Sequence, residues 1–130
     1  MDITRFDTKT RANDGIEFEL RDLRTGKGSG VFFRVLGADG DTFQRLKTER
    51  ARTIAKKMEE MGSDKLSGQE IDDMTSDMLA NCTIGWRSLE LNGEPYPFSL
   101  DNAKKVYRDY PAIRDEINVA VANRANFLLA

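Results

Sequence analysis

Histidine is absent from all 130 residues, which removes His-based triads, His-ligated zinc and the usual general base at neutral pH. The single cysteine, Cys82, excludes an intramolecular disulfide and any metal site built on spaced cysteines. No stretch approaches the roughly 20 apolar residues of a membrane span, and Met1 to Asp7 lack the basic-then-apolar order of a signal peptide. Residence in a cytoplasm is the expectation. Twenty basic residues against 22 acidic ones give a net charge of only -2, so there is no electrostatic warrant for nucleic acid. Neither a membrane nor a nucleic-acid partner is expected, and a protein partner fits better. Carboxylates and lysines are plentiful, but nothing in their spacing selects a catalytic residue, a cofactor site or a metal site.

The chain suits one domain, long enough to bury a core without metal or disulfide. Ile16, Phe18 and Leu20 alternate with charged residues, the period of a strand with one wet face. After the loop Thr25 to Gly30 comes the β-branched and aromatic run Val31 to Leu36, so residues 15–36 read as a β-hairpin. Residues 1–14 before it read as a flexible lead. The glycine-rich loop with Lys27 is not a phosphate cradle, because Lys27 is followed by glycine and the sequence beyond Gly30 is strand-like.

From residue 41 the pattern is helical. Asp41 and Gln44 suggest a capping box opening a helix over about Thr42 to Met61, with Gly62 as its stop. Phe43, Leu46, Ile54, Met58 and Met61 form its apolar stripe, and Arg45, Lys47, Arg50, Arg52, Lys56 and Lys57 make it basic. Ser67 and Glu70 form a second capping-box pattern, opening an acidic helix with Ile71, Met74, Met78, Leu79 and Cys82 as its apolar positions and Asp72, Asp73 and Asp77 among its charges. Adjacent Asp72 and Asp73 point about 100° apart on a helix and make a poor joint metal ligand. Opposite charge on consecutive helices fits pairing within one molecule or between subunits. Met58, Met61, Met74 and Met78 fit either core filling between the two helices or an adaptable apolar surface. Cys82 reads as a buried small hydrophobe.

This second helix is expected to continue toward Trp86 until Gly85 disturbs it. Asn92-Gly93 marks a tight turn within residues 89–98, and Pro95 and Pro97 place Tyr96 and Phe98 on one side of an extended segment. With Trp86 these aromatics form a satellite core or a recognition surface. Ser99 caps a helix over about Leu100 to Asp109, and Pro111 opens a last helix carrying Ile113, Ile117, Ala120, Val121, Ala125 and Leu128, with Phe127 beside them. An apolar stretch such as Phe127-Leu128 is expected to dock on its own domain or on another subunit. The sequence-based fold class is α+β, mainly α: an N-terminal hairpin followed by about four helices.

An ordered set of short motifs runs through most of the chain: Val35-Leu36-Gly37-Ala38-Asp39, Gly85-Trp86, Asn92-Gly93-Glu94-Pro95, Phe98-Ser99, Tyr110-Pro111 and Asn123 to Leu128. In this order the set resembles tail assembly chaperones of long-tailed, lambdoid or siphovirus-type bacteriophages. The resemblance implies a mainly helical, non-enzymatic protein without cofactor that binds the tape measure protein and keeps it soluble. It further implies a frameshift-extended form of the same protein as partner, indirect recruitment of the tail tube protein, and self-association into homo-oligomers of open, spiral form. Such proteins act in the host cytoplasm and are absent from the mature virion. The residues expected to bind partners or drive assembly are Met58, Met61, Met74, Met78, Trp86, Tyr96, Phe98, Phe127 and Leu128. The main alternative is a structural tail or head-completion component retained in the virion.

Overall fold

Alternation and helical spacing sort the chain into a small sheet carrying helices on one face. The computed structural model describes residues 1–61 and 66–128, with the Met61 side chain and the Gly62 stop signal outside the described residues. Strand β1 (Ile16–Arg21) pairs antiparallel with β2 (Gly28–Val35), setting Phe18 opposite Phe33. Helix α2 (Asp41–Met61) and helix α3 (Gly68–Cys82) follow. A third strand, β3 (Thr83–Arg87), pairs antiparallel with β2 and gives the sheet the order β1-β2-β3. The two-residue strands β4 (Glu90–Leu91) and β5 (Glu94–Pro95) flank the Asn92-Gly93 turn, where φ is positive at both residues. Such geometry matches the twist of a hairpin and favours these two residue types. Helices α4 (Leu100–Asp109) and α5 (Pro111–Ala122) complete the helical layer. The protein is a single α+β domain, mainly α, with a small antiparallel sheet.

The core lies between sheet and helices: Leu20, Phe33 and Val35 from the strands meet Leu79, Val106, Tyr107, Ile117 and Val121 from the helices. The outer face of the sheet is wet but ordered. Arg87 lies 3.8 Å above the Phe32 ring and pairs with Glu17 at 3.1 Å, so one guanidinium covers an aromatic ring and satisfies a carboxylate. At the free edge of β1, both carboxylate oxygens of Glu116 in α5 accept the Arg21 N–H at 3.1 and 3.0 Å. A donor that would invite a foreign strand is thereby occupied.

The structure departs from the sequence reading in four places. Residues 1–14, read as a flexible lead, form a 3-10 turn (Ile3–Phe6) and a short helix, α1 (Lys9–Asp14), whose Ala12 is buried. Its neighbour Asn13 accepts the Asp41 N–H through Oδ1 at 2.7 Å, tying the segment to the start of α2. That bond also replaces the expected Asp41/Gln44 capping box, since the Gln44 amide donates instead to the Ala38 carbonyl at 2.7 Å.

The third departure is the helix expected to run toward Trp86. It stops at Cys82, where Thr83 turns extended and its hydroxyl donates to the Leu79 carbonyl at 2.8 Å. Pairing with β2 then takes up Thr-Ile-Gly-Trp-Arg, a segment rich in strand-forming types. Fourth, the last helix ends at Ala122 rather than reaching Leu128. Asn123 turns extended and caps a separate 3-10 turn (Arg124–Phe127) by accepting the Ala125 N–H.

The Ser67/Glu70 capping box forms in both directions, and Ser99 accepts the Asn102 N–H at the start of α4. The basic and acidic helices pack on each other within one molecule, yet among the described residues only one ion pair joins them, Lys57 to Glu70 at 3.4 Å. Two other α3 carboxylates turn toward later helices: Asp72 meets Arg114 of α5 at 3.8 Å, and Asp77 meets Arg108 of α4 at 3.4 Å.

Candidate functional site

Helix α3 sits at the middle of the helical layer, packed by α2 on one flank and by α4 and α5 on the others. Where α2 and α5 diverge above it, they leave a groove of about 400 Å³. Phe43, Lys47 and Arg50 of α2 form one wall, Thr75, Met78 and Leu79 of α3 the floor, and Asn118 and Ala122 of α5 the other wall. Their helical spacing explains the arrangement. Phe43, Lys47 and Arg50 fall three or four apart and share a face of α2, and Thr75, Met78 and Leu79 do the same on α3. A second concavity, of about 240 Å³, opens on the other side of the α2–α3 seam, between Leu46, Glu49, Arg50 and Thr53 on α2 and Met74, Asp77, Met78 and Asn81 on α3, so Arg50 and Met78 border both.

The proposed methionine cluster is thus divided. Met78 is buried at the seam, with Arg50 Nη1 3.9 Å from its sulfur. Met74 is half-buried and faces the second concavity. Met58 lies farther along α2 and is 40 % exposed. Met78 therefore fills the seam and also floors the groove.

The expected aromatic set does come together. Trp86 stacks on Tyr96 with ring centres 5.9 Å apart, meets Phe98 edge-on at 5.0 Å, and touches Phe33 of the core at 5.1 Å. The indole N–H donates to the Tyr96 carbonyl at 2.7 Å, fixing the β4–β5 hairpin against β3. Trp86 and Tyr96 are half-buried against the core, and of the three only Phe98 lies open. Beside it Leu89, Leu91, Tyr96, Val106, Tyr110 and Ile113 enclose an apolar pocket of about 160 Å³.

Phe127 and Leu128 do not act as a pair of open anchors. Phe127 is only 2 % exposed and belongs to the core, whereas Leu128 is 42 % exposed. The 3-10 turn separates them: it turns the Phe127 ring inward and leaves Leu128 in a shallow depression with Phe6, Ala125 and the ion pair of Arg124 with Asp39. In that pair Asp39 accepts from Arg124 at 2.8 and 3.1 Å and from the Thr8 hydroxyl at 2.6 Å, and these bonds hold its carboxyl below the usual carboxylate range.

Burial pushes the Cys82 thiol up to about 11, which keeps it protonated and a poor nucleophile. No group of three or more Cys, Asp and Glu side chains is arranged to hold a metal ion among the described residues, and none of the helices described is long and apolar enough to cross a membrane. The groove over α3 offers an apolar floor and two cationic side chains on one wall. Sequence patterning supplied Phe43 and Met78 as apolar positions but not Asn118 and Ala122, because only packing brings α5 opposite α2. No family model, curated protein or solved structure matches the chain.

Proposed function

We propose that the protein is a non-enzymatic phage tail assembly chaperone that holds amphipathic helices of the tape measure protein in the groove over α3. The observation that supports this reading is the divergence of α2 and α5, which leaves Phe43 and Thr75 half-buried and Met78 as floor in a trough wide enough for side chains of a partner helix. Helix-in-groove recognition uses an apolar stripe for affinity, and a methionine floor adapts to stripes of different shape. Modest affinity at each site is multiplied when many copies line one long partner. In this reading the protein works in the host cytoplasm, associates with further copies and with a frameshift-extended form of itself, brings tail tube subunits indirectly, and is left out of the finished virion.

The test is co-expression with the tape measure protein, followed by size-exclusion chromatography with light scattering. A soluble complex carrying several copies of this chain is expected. A partner that stays insoluble while this chain elutes alone refutes the role. Detection of the chain by mass spectrometry in purified virions would favour a retained tail or head-completion component instead.

A further inference from the structure

The groove over α3 has charge of one sign on its wall. Lys47 and Arg50 line it, and no carboxylate does so among the described residues. The nearby carboxylates are engaged elsewhere: Glu49 and Asp77, which border the second concavity with Arg50, pair with Arg45 and Arg108, Asp72 pairs with Arg114, Asp73 accepts from the Gln69 amide, and Glu70 holds Lys57 at the far end of the α2–α3 seam. Neither Lys47 nor Arg50 forms an ion pair among the described residues, although Arg50 is half-buried against Met78.

Resting on the carrier reading above, we propose that this groove selects amphipathic helices whose apolar stripe is bordered by glutamate or aspartate. The stripe would lie over Met78, Thr75 and Phe43, and carboxylates on one border would reach Lys47 and Arg50. These two cations are three residues apart on α2, about 4.5 Å along its axis. Acidic residues one turn apart on the incoming helix match that spacing. Apolar contact supplies the affinity, and charge supplies the choice: a helix bordered by lysine would bring like charges together beside a half-buried guanidinium, and that repulsion discriminates against it.

Two synthetic amphipathic peptides of about 20 residues, with the same leucine stripe and either glutamate or lysine borders, test the idea by fluorescence anisotropy. On the unaltered protein the glutamate peptide is expected to bind about tenfold tighter, the combined effect of two partly screened charge pairs. Lys47→Glu/Arg50→Glu should reverse the order. Thr75→Trp, which fills the groove, should abolish binding of both peptides; Ala122→Trp on the opposite wall replaces it if the first variant proves less folded by circular dichroism. Equal affinities that both disappear on filling the groove would overturn the charge selection and leave the carrier reading standing. Binding untouched by the filled groove, or no binding of either peptide at about 1 mM, would overturn both.

Discussion

Phe127 lies directly against Gly37. A Cβ on residue 37 would stand 2.9 Å from the Phe127 ring and 2.8 Å from the Ala12 methyl, so glycine is what allows the 3-10 turn to close over α1. The contact joins residues 90 positions apart with no loop shared between them. It also converts a presumed recognition residue into a keystone of the fold.

Gly37→Ala should therefore destabilise the protein by about 1–3 kcal/mol through overpacking, and Phe127→Ala by about 3–5 kcal/mol through the cavity it leaves. Leu128→Ser, at an exposed position, should stay within about 0.5 kcal/mol of the parent. Urea denaturation of the three variants checks the order. A Phe127→Ala protein as stable as the parent would show that the ring is not part of the core.

Tyr107 and Thr83 make a second, asymmetric pair. Their hydroxyls are 2.6 Å apart and buried, and Thr83 already donates to the Leu79 carbonyl, so the Tyr107 phenol is the donor between them. Tyr107→Phe removes the donor and leaves Thr83 still bonded, which should cost about 1 kcal/mol. Thr83→Val leaves the phenol buried without a partner and the Leu79 carbonyl without its cap, and should cost about 2–3 kcal/mol. The double variant should fall closer to Thr83→Val than the sum of the singles. Strict additivity in chemical denaturation would rule out the coupling.

Asp39 gives the protein one definite source of acid sensitivity. Its carboxyl lies below the usual aspartate range because Arg124, and after it Thr8, bonds the charged form. A depressed folded-state pKa stabilises above the unfolded value and loses that stabilisation as pH falls through the folded one. The contribution is therefore complete at neutral pH and drains away below about pH 4. With Arg124 largely in solvent, Asp39→Asn should cost only about 1 kcal/mol near pH 7. The variant should also lose less stability than the parent between about pH 6 and about pH 3. Parallel pH profiles would remove Asp39 from the account.

Cys82 reports on opening of the helical layer. With the thiol pushed up to about 11 by burial, only about one in a thousand molecules carries the thiolate near pH 8, and none of it is accessible in the closed fold. Iodoacetamide should modify the native protein far more slowly than the urea-unfolded chain, and Met78→Ala, which loosens the α2–α3 seam, should accelerate modification. Equal rates for native and unfolded protein would mean that α3 is not packed as described.

What the sequence by itself determined is whatever rests on neighbours in the chain. Ser67 with Glu70, Ser99, Asn92-Gly93 and Pro111 each act within four residues, and all four signals appear where local chemistry puts them. The alternation of Ile16, Phe18 and Leu20 likewise needed only a period of two to mark a strand. Tertiary structure alone decided the rest. Thr83 to Arg87 became a strand because β2 was available beside it, the first 14 residues became ordered because Ala12 found Gly37 and Phe127, and Asn118 came to face Lys47 because α5 crosses α3. Each of those outcomes depends on burial and hydrogen bonds shared between segments tens of residues apart, and no local propensity of about 1 kcal/mol or less can outweigh or foretell that exchange.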